Sequence, residues 1–260
     1  MGALLVILAP ITYNSATMLA IISDIHSNLE ALTTVYRWLD QNKVDDVICL
    51  GDVVGYGPDP NPVCELIRER CRVSLLGNHD AAVIGAMSTD YYQAPAKEAI
   101  YWTRHQVSED NFRWLYALPF THTRGEVGFF HAAPFKPSGW FYVVSTQDAQ
   151  HVNQGYYPRL KRWNFVGHSH LTLAYAINGK KVKEAAGDDL VGKEDRKFLV
   201  NVGSVGQPRD KDPRLCFGLY DSNFDTFRHV RLQYDVESTA KKIMNAGLDA
   251  KFARRLFVGQ

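Results

Sequence analysis

Metal-binding residue types stand one residue apart at two distant places in the chain. The stretch SDIHSN contains Asp24 and His26, and the stretch GHSH contains His168 and His170. Each follows an apolar run, MLAIIS or NFV, that is typical of a β-strand. Residues i and i+2 of an extended chain point to the same side. Each stretch can therefore direct two metal ligands towards one place.

Other apolar runs end in residues of the same kind. DVICLG, RVSLLG and VGFF are followed by Asp52, Asn78, His79, Asp80 and His131. Groups beyond the carboxyl ends of strands meet at one edge of an open α/β sheet, so all of them can converge. A single aspartate or histidine after a strand is usually a helix cap or a turn residue, and Asp24 alone would suit that role. Their repetition at successive strand ends favours a shared site.

The chemistry of these side chains indicates which ions they would bind. Carboxylates, imidazoles and an amide oxygen, without a thiolate, suit manganese, iron, zinc, cobalt or nickel. The set is larger than one tetrahedral ion requires. With one bridging carboxylate it matches two ions ~3.5–4 Å apart, an arrangement used for in-line displacement at phosphorus.

The ordered set D-x-H, GD, GNHD, H and GHxH, from Asp24 to His170, resembles the calcineurin-like metallophosphoesterase superfamily. The later segment NVGSVGQPRD resembles its small bacterial phosphodiesterase-like branch. The resemblance implies an α/β (α+β) fold, a sandwich of two mixed β-sheets flanked by helices. It also implies a cofactor of two divalent or trivalent metal ions, with manganese or iron preferred.

The resemblance assigns three ligands to each ion and one ligand to both. The first ion would be bound by Asp24, His26 and His170, the second by Asn78, His131 and His168, and Asp52 would bridge them. His122 in FTHT is an alternative to His131. We prefer His131, because it ends an apolar run whereas His122 lies in a stretch that predicts a polar turn.

The same resemblance implies that a water bridging the two ions loses its proton near neutral pH and attacks the phosphorus. His79 resembles the family's catalytic histidine, which donates a proton to the leaving oxygen or stabilises its charge. Asp80 would orient that ring and keep it protonated.

The sequence departs from part of the family in a way that bears on substrate. Relatives that are protein phosphatases or dinucleoside tetraphosphatases have an arginine in a longer GD motif and carry GNHE. Here the stretch is GDVVGYGPDP, without arginine, and the later motif ends in Asp80. A doubly charged monoester needs such a bidentate arginine more than a phosphodiester does. We therefore expect a phosphodiester, small or nucleotide-like, ahead of a phosphomonoesterase or Ser/Thr protein phosphatase activity.

Three residues are candidates for substrate binding: Asn28, Tyr56 and Arg209. Arg209 could equally form a salt bridge with Asp210 or Asp212. Trp140, Phe141 and Tyr142 form either a wall for the leaving group or part of the core. A non-catalytic scaffold, as in the retromer subunit that resembles these enzymes, is a remote alternative, because neither the ligands nor His79 are lost.

The elements that must position these residues follow from the apolar pattern. LAIIS predicts a strand, and the next stretch has apolar residues at helical spacing. Between 81 and 123 the pattern predicts a helical cap inserted between strands, whose aromatic residues are core or face substrate. The later apolar runs, from LAYAI to FRHVRLQY, predict antiparallel strands in a second sheet. The last 26 residues predict a pair of helices.

The composition and net charge indicate which classes of partner the chain binds. The 260 residues are 46% hydrophobic and carry a net charge of +1, which makes a nucleic-acid polymer or a membrane an improbable partner. We expect a single domain over residues 18–260, a small phosphoester as partner, and an exposed sheet edge that could support a homodimer.

The cysteines and the N-terminus indicate a cytoplasmic protein. The four cysteines show no CxxC spacing. The sequence does not decide whether Cys64 and Cys71 form a disulfide. Residues 1–17 are apolar but lack the positive flank of a signal peptide and are too short to span a bilayer. We interpret them as a loose extension upstream of Met18.

Overall fold

The computed structural model describes residues 18–185 and 189–260, so the predicted N-terminal extension lies outside the described residues. The strands of the described part are β1 (Met18–Ile22), β2 (Asp46–Cys49), β3 (Val73–Ser74), β4 (Thr121–Arg124), β5 (Val127–Phe130), β6 (Trp163–Val166), β7 (Thr172–Ile177), β8 (Val182–Glu184), β9 (Asp189–Val191), β10 (Lys197–Val202), β11 (Leu215–Asp221) and β12 (Thr226–Leu232). The α-helices are α1 (Leu29–Gln41), α2 (Pro60–Arg70), α3 (Asn78–Val83), α4 (Ala94–Gln106), α5 (Glu109–Tyr116), α6 (Thr146–Tyr156), α7 (Val236–Asn245) and α8 (Ala250–Leu256).

These strands form two sheets of six strands each among the described residues, in the orders β3-β2-β1-β11-β12-β9 and β4-β5-β6-β10-β7-β8. In the first sheet β1 pairs in parallel with β2 and antiparallel with β11. In the second sheet β6 and β10 are parallel, whereas β7 and β10 are antiparallel. Both sheets are therefore mixed and flanked by helices, which confirms the predicted fold class.

The core lies between the two sheets and between each sheet and its helices. Large buried side chains fill the space between the sheets, among them Leu19, Ile21, Ile48, Phe129, Trp163 and Phe165. The alternate residues of β1, Ala20 and Ile22, pack on the opposite face with Leu32 and Val35 of α1. Burying each Val, Leu, Ile or Phe side chain contributes about 1.5–3 kcal/mol. This packing fixes the end of β1, where the first pair of ligands begins.

The prediction that all the later strands lie in the second sheet is wrong for β11 and β12. β11 lies between β1 and β12 in the first sheet, and both contacts are antiparallel. Leu215–Tyr220 are buried without a polar face. A strand that is covered on both faces belongs at the centre of a sheet, which explains its position.

The predicted helical cap has different boundaries in the structure. Its first helix, α3, begins at Asn78, and its last helix, α5, ends at Tyr116. Thr121–Arg124 form strand β4 and pair with β5, so His122 lies in a strand and not in a polar turn. The predicted C-terminal helix pair is confirmed by α7 and α8.

Two further findings concern cysteines and helices of the described part. Cys64 and Cys71 are both free thiols, so the disulfide that the sequence left undecided is not formed. Among the described helices, none combines the length and apolar character that a bilayer span needs.

One half-buried histidine, on β12, is expected to make stability depend on pH. His229 of β12 donates through Nε2 to the Asn201 carbonyl at 2.8 Å, and burial lowers its pKa from 6.5 to about 4. A depressed histidine pKa contributes stability above pH 6.5, and this contribution is lost as pH falls towards 4. At pH 5 the expected loss is about 2 kcal/mol relative to pH 7.5.

Urea denaturation of the wild type and His229→Gln at these two pH values measures this loss. Glutamine keeps a donor for Asn201 but does not titrate. The loss of unfolding free energy between pH 7.5 and pH 5 should therefore be about 2 kcal/mol smaller in the variant than in the wild type. The same pH dependence in both proteins would contradict the assignment.

Candidate metal centre

Asp24, His26, Asp52 and His170 bring one ligand atom each to a buried cluster, all within 4.8 Å of one another. The Nε2 atom of His26 lies 3.6 Å from an Asp52 oxygen and 4.0 Å from Oδ1 of Asp24. The Nε2 atom of His170 lies 3.3 Å from the same Asp24 oxygen. The four residues are at most 2% exposed, so the cluster is buried.

A second cluster adjoins the first and shares Asp52. Ligand atoms of Asp52, His131 and His168 lie within 4.8 Å of one another. The Nε2 atom of His131 is 3.5 Å from Oδ2 of Asp52 and 3.1 Å from Oδ1 of Asn78. The structure thus brings all seven predicted ligands together, with Asp52 between the two groups. The alternative, His122, stacks on Phe129 instead.

Each of the four histidines donates one ring N–H to a backbone carbonyl, which fixes its tautomer. In His26, His131 and His170 the donor is Nδ1, with acceptors 3.1, 3.2 and 2.6 Å away. In His168 the donor is Nε2, and the acceptor is the Trp140 carbonyl at 2.9 Å. In His26, His168 and His170, whose pKa burial lowers, the other ring nitrogen keeps its lone pair for the cluster. Such bonds orient metal-ligating histidines and raise their basicity.

The arrangement of acceptors shows that these residues fit metal ions. The Nε2 atoms of His26 and His170 face each other at 3.1 Å, although both rings carry their proton on Nδ1. Asn78 donates its amide NH₂ to Tyr92, so its acceptor atom Oδ1 faces Nε2 of His131 at 3.1 Å. Oδ1 of Asp24 is buried without a hydrogen-bond donor. A cation in each cluster would satisfy all these lone pairs.

The ligands lie in sharp turns and not on extended chain, which corrects the i, i+2 geometry expected from sequence. Asp24, His26, Asp52, His168 and His170 have φ between 48° and 67°, in the left-handed region. This conformation is costly for residues other than glycine and persists where the surroundings enforce it. Here backbone N–H groups of Asp24 and His26 donate to the loop after β2 at 3.0 Å. The strained turns point the side chains inward.

Residues 17–203 match the sequence profile of the calcineurin-like phosphoesterase family. The chain belongs to this family. The uncharacterized protein MJ0912 of Methanocaldococcus jannaschii is 36% identical over 248 residues, 94% of this chain and 99% of that protein. This phosphoesterase also resembles the crystal structure of a metallophosphoesterase from Sphaerobacter thermophilus, with a TM-score of 0.82 and 32% identity over 95% of this chain and 100% of the other. The hypothetical protein PH1004 of Pyrococcus horikoshii shares the fold at 17% identity, with a TM-score of 0.73 over 94% of this chain and 98% of the other.

Burial and mutual charge set the protonation states at the centre of this phosphoesterase. Burial lowers the pKa of His168 to about 3 and those of His26 and His170 well below their usual range, which keeps the rings neutral. Burial alone would raise the pKa of Asp52, but the His131 and His79 rings hold it well below its usual range. Asp52 is therefore ionised, as a bridging ligand requires.

His79 lies at the edge of the candidate metal centre, next to the aromatic rings of Tyr56 and Tyr92. Its ring centroid is 4.3 Å from that of Tyr56 and 5.0 Å from that of Tyr92. A Cβ at Gly55, whose φ is +96°, would come within 2.7 Å of Nδ1 of His79, so this close approach requires glycine. The backbone N–H of His79 donates to Asp52 at 2.8 Å, which fixes the histidine beside the bridging carboxylate.

The predicted role of Asp80 is not supported by its contacts. Its carboxylate accepts from the backbone N–H groups of Val54 and Gly77, both at 3.0 Å, and not from the His79 ring. Burial lowers the pKa of His79 to about 4, so the ring is neutral, whereas Asp80 was expected to keep it protonated. Asp80 instead holds the loop after β2 against the first turn of α3.

A cavity of about 480 Å³ opens beside the two clusters. Five aromatic side chains line it: Tyr56, Tyr91, Tyr92, Trp140 and Tyr142. It is also lined by Asp52, Asn78, His79, His168 and His170 and by one described cation, Arg209. The ring of Tyr142 stacks on His168 at 3.9 Å. Of the three aromatic residues 140–142, Trp140 and Tyr142 line the cavity, whereas Phe141 stacks on Phe135.

The three predicted substrate residues are placed differently from one another. Tyr56 and Arg209 line the cavity. Asn28 does not, because it is buried and its side chain caps α1 while its amide donates to the Gly206 carbonyl at 2.9 Å. The structure thus gives Asn28 a structural role, against the prediction that it contacts substrate.

Sequence reasoning missed the positioning role of Tyr92. Its hydroxyl donates to the Asn78 carbonyl at 2.9 Å and accepts from the Asn78 amide at 2.7 Å. These bonds turn Oδ1 of Asn78 towards His131. The aromatic composition of the cap contained the signal, but it left open whether those rings lie in the core or face substrate.

Proposed function

We propose that the chain hydrolyses a phosphodiester whose organic groups are small or nucleotide-like. The observation that supports this is the lining of the cavity beside the clusters, which has five aromatic rings but a single described cation. Flat organic groups on both sides of a phosphorus would contact such walls. A monoester, with one organic group and two negative charges, would use them less.

The charge around the cavity supports the same preference. No described carboxylate pairs with Arg209, because Asp210 pairs with Arg231 and Asp212 pairs with Arg214. The alternative that Arg209 is consumed in a salt bridge to those aspartates is therefore wrong. One guanidinium matches the single negative charge of a diester, whereas a monoester dianion calls for more cationic contact.

The bound ions would supply Lewis acidity to the phosphate oxygens and an activated water. The residues of the chain supply the rest. Asp52 stays ionised between the clusters. The neutral ring of His79 lines the cavity and donates a hydrogen bond to the departing oxygen, where negative charge develops. The aromatic walls hold the organic groups and exclude water.

The test is a comparison of kcat/KM for bis-p-nitrophenyl phosphate and p-nitrophenyl phosphate, with Mn²⁺, Fe²⁺, Zn²⁺, Co²⁺ or Ni²⁺ added. We expect at least a tenfold preference for the diester, about 1.4 kcal/mol in transition-state binding. A preference for the monoester would overturn the proposal in favour of a phosphomonoesterase or protein phosphatase. Wild-type and Asp52→Asn preparations made in parallel identify a contaminating phosphatase.

A further inference from the structure

A second cavity of about 330 Å³ continues from the first one. The two share the lining residues Tyr56, Tyr91, Tyr92, Tyr142 and Arg209. The second cavity adds Lys251, Phe252 and Arg255 from α8. The ring of Tyr56 joins the two, because it lies 4.3 Å from the His79 ring and 4.9 Å from the Phe252 ring. A ligand at the metal-binding clusters can therefore extend to the C-terminal helix.

Two guanidinium groups meet at the junction and share one neutral acceptor. Oε1 of Gln207 accepts from Arg209 at 2.8 Å and from Arg255 at 2.9 Å. None of the ion pairs between described residues includes either arginine, and no acidic residue lines the second cavity. Burial and the nearby Arg209 lower the pKa of Arg255. Two adjacent cations without a carboxylate repel each other, and a bound anion would remove that repulsion.

We propose that Arg255 and Lys251 form a second anion-binding subsite, which binds a further phosphate group carried by one organic arm of the substrate. Arg209, which lines both cavities, would contact this phosphate as well as the scissile one. The inference rests on the proposed function and narrows its substrate class. The substrate would be a phosphodiester with a flat arm that ends in a second phosphate. The scissile phosphorus would lie at the clusters, and the arm would run along the tyrosines.

The geometry favours a phosphate over a singly charged group at this place. The Arg209 guanidinium lies over the Tyr56 ring, 5.7 Å from its centroid, so its position is fixed by a ring contact as well as by Gln207. Guanidinium groups bind phosphate oxygens in bidentate fashion, and Lys251 adds a flexible third charge. A phosphate dianion offers enough oxygens for all three.

Two chromogenic diesters test the subsite: thymidine 5′-(p-nitrophenyl phosphate) and the same ester with a 3′-phosphate. We expect the wild type to show at least a tenfold higher kcat/KM for the 3′-phosphorylated ester, since charge-assisted hydrogen bonds to the second phosphate stabilise the bound ester and its transition state. Arg255→Gln should bring the ratio of the two values close to one, and Arg255→Lys should give an intermediate ratio. Arg254→Gln, an exposed position on the same helix, is the matched control and should keep the wild-type ratio.

The outcomes separate this inference from the proposed function. Equal kcat/KM values in the wild type, or an unchanged ratio in Arg255→Gln, would overturn the subsite and leave diester hydrolysis standing. If neither diester is cleaved, diester hydrolysis fails. Calorimetric titration with thymidine 3′,5′-bisphosphate and thymidine 5′-monophosphate then decides the subsite alone. Tighter binding of the bisphosphate that Arg255→Gln abolishes supports it, and equal affinities in the wild type overturn it.

Discussion

Hydrolysis of bis-p-nitrophenyl phosphate is expected to fall at least about 1000-fold when Asp52 is replaced by asparagine. Among the described residues Asp52 belongs to both clusters, with an oxygen 3.6 Å from His26 and 3.5 Å from His131. Asparagine removes the negative charge and one of the two ligand oxygens. Elemental analysis of the protein should show fewer bound ions per chain in parallel with the loss of kcat/KM.

The matched control is Asp46→Asn. Asp46 is also buried, at the other end of the strand that precedes Asp52, where it pairs with Arg72 and Arg124. Weakening these two ion pairs is expected to lower the free energy of unfolding but to leave metal content and kcat unchanged, measured well below the melting temperature. An Asp52→Asn protein with wild-type turnover and metal content would contradict the bridging role.

Sequence reasoning reached the fold and the clusters because their signals are local. Each ligand group follows a strand that is buried on both faces. Such a strand has a short, continuous apolar sequence, which can be recognised without the structure. The chemistry of the residues at their ends then limited what they could do together. The convergence of strand ends needed only the general geometry of α/β sheets.

The features that sequence reasoning missed depend on contacts between distant positions. The strands THTR, VKE and DLV have no apolar alternation, and pairing with a neighbouring strand is what orders them. The sheet to which β11 belongs depends on its pairing with β1, nearly two hundred residues earlier in the chain.

Dependence on contacts that are not local in sequence also explains the incorrect predictions about site residues. Asn28 is near the ligands in sequence, but the turn at Ser27, with φ of 55°, places its side chain at the start of α1. Asp80 adjoins His79, yet successive residues of a helix point in different directions, so its carboxylate reaches backbone N–H groups. The pairing of Arg209 and Arg255 through Gln207 has no local signal.

The second large effect is expected at His79. His79→Ala should lower kcat by about 10²–10⁴-fold while metal content stays close to that of the wild type. The contact of this residue with Asp52 is made by its backbone N–H, at 2.8 Å, and alanine keeps it. The variant therefore removes only the ring that faces the cavity. Single-turnover kinetics and elemental analysis of the same preparation measure both quantities.

The leaving group distinguishes a catalytic ring from a packing ring. A p-nitrophenolate leaves without much assistance, whereas an alkoxide needs a hydrogen-bond donor or a proton. His79→Ala should therefore slow cleavage of an alkyl phosphodiester by at least about tenfold more than cleavage of bis-p-nitrophenyl phosphate. His122→Ala, a half-buried histidine on β4, is the control and should affect neither substrate. Equal losses for both leaving groups would show that the His79 ring acts only by packing against Tyr56 and Tyr92, and full kcat would exclude any role for it.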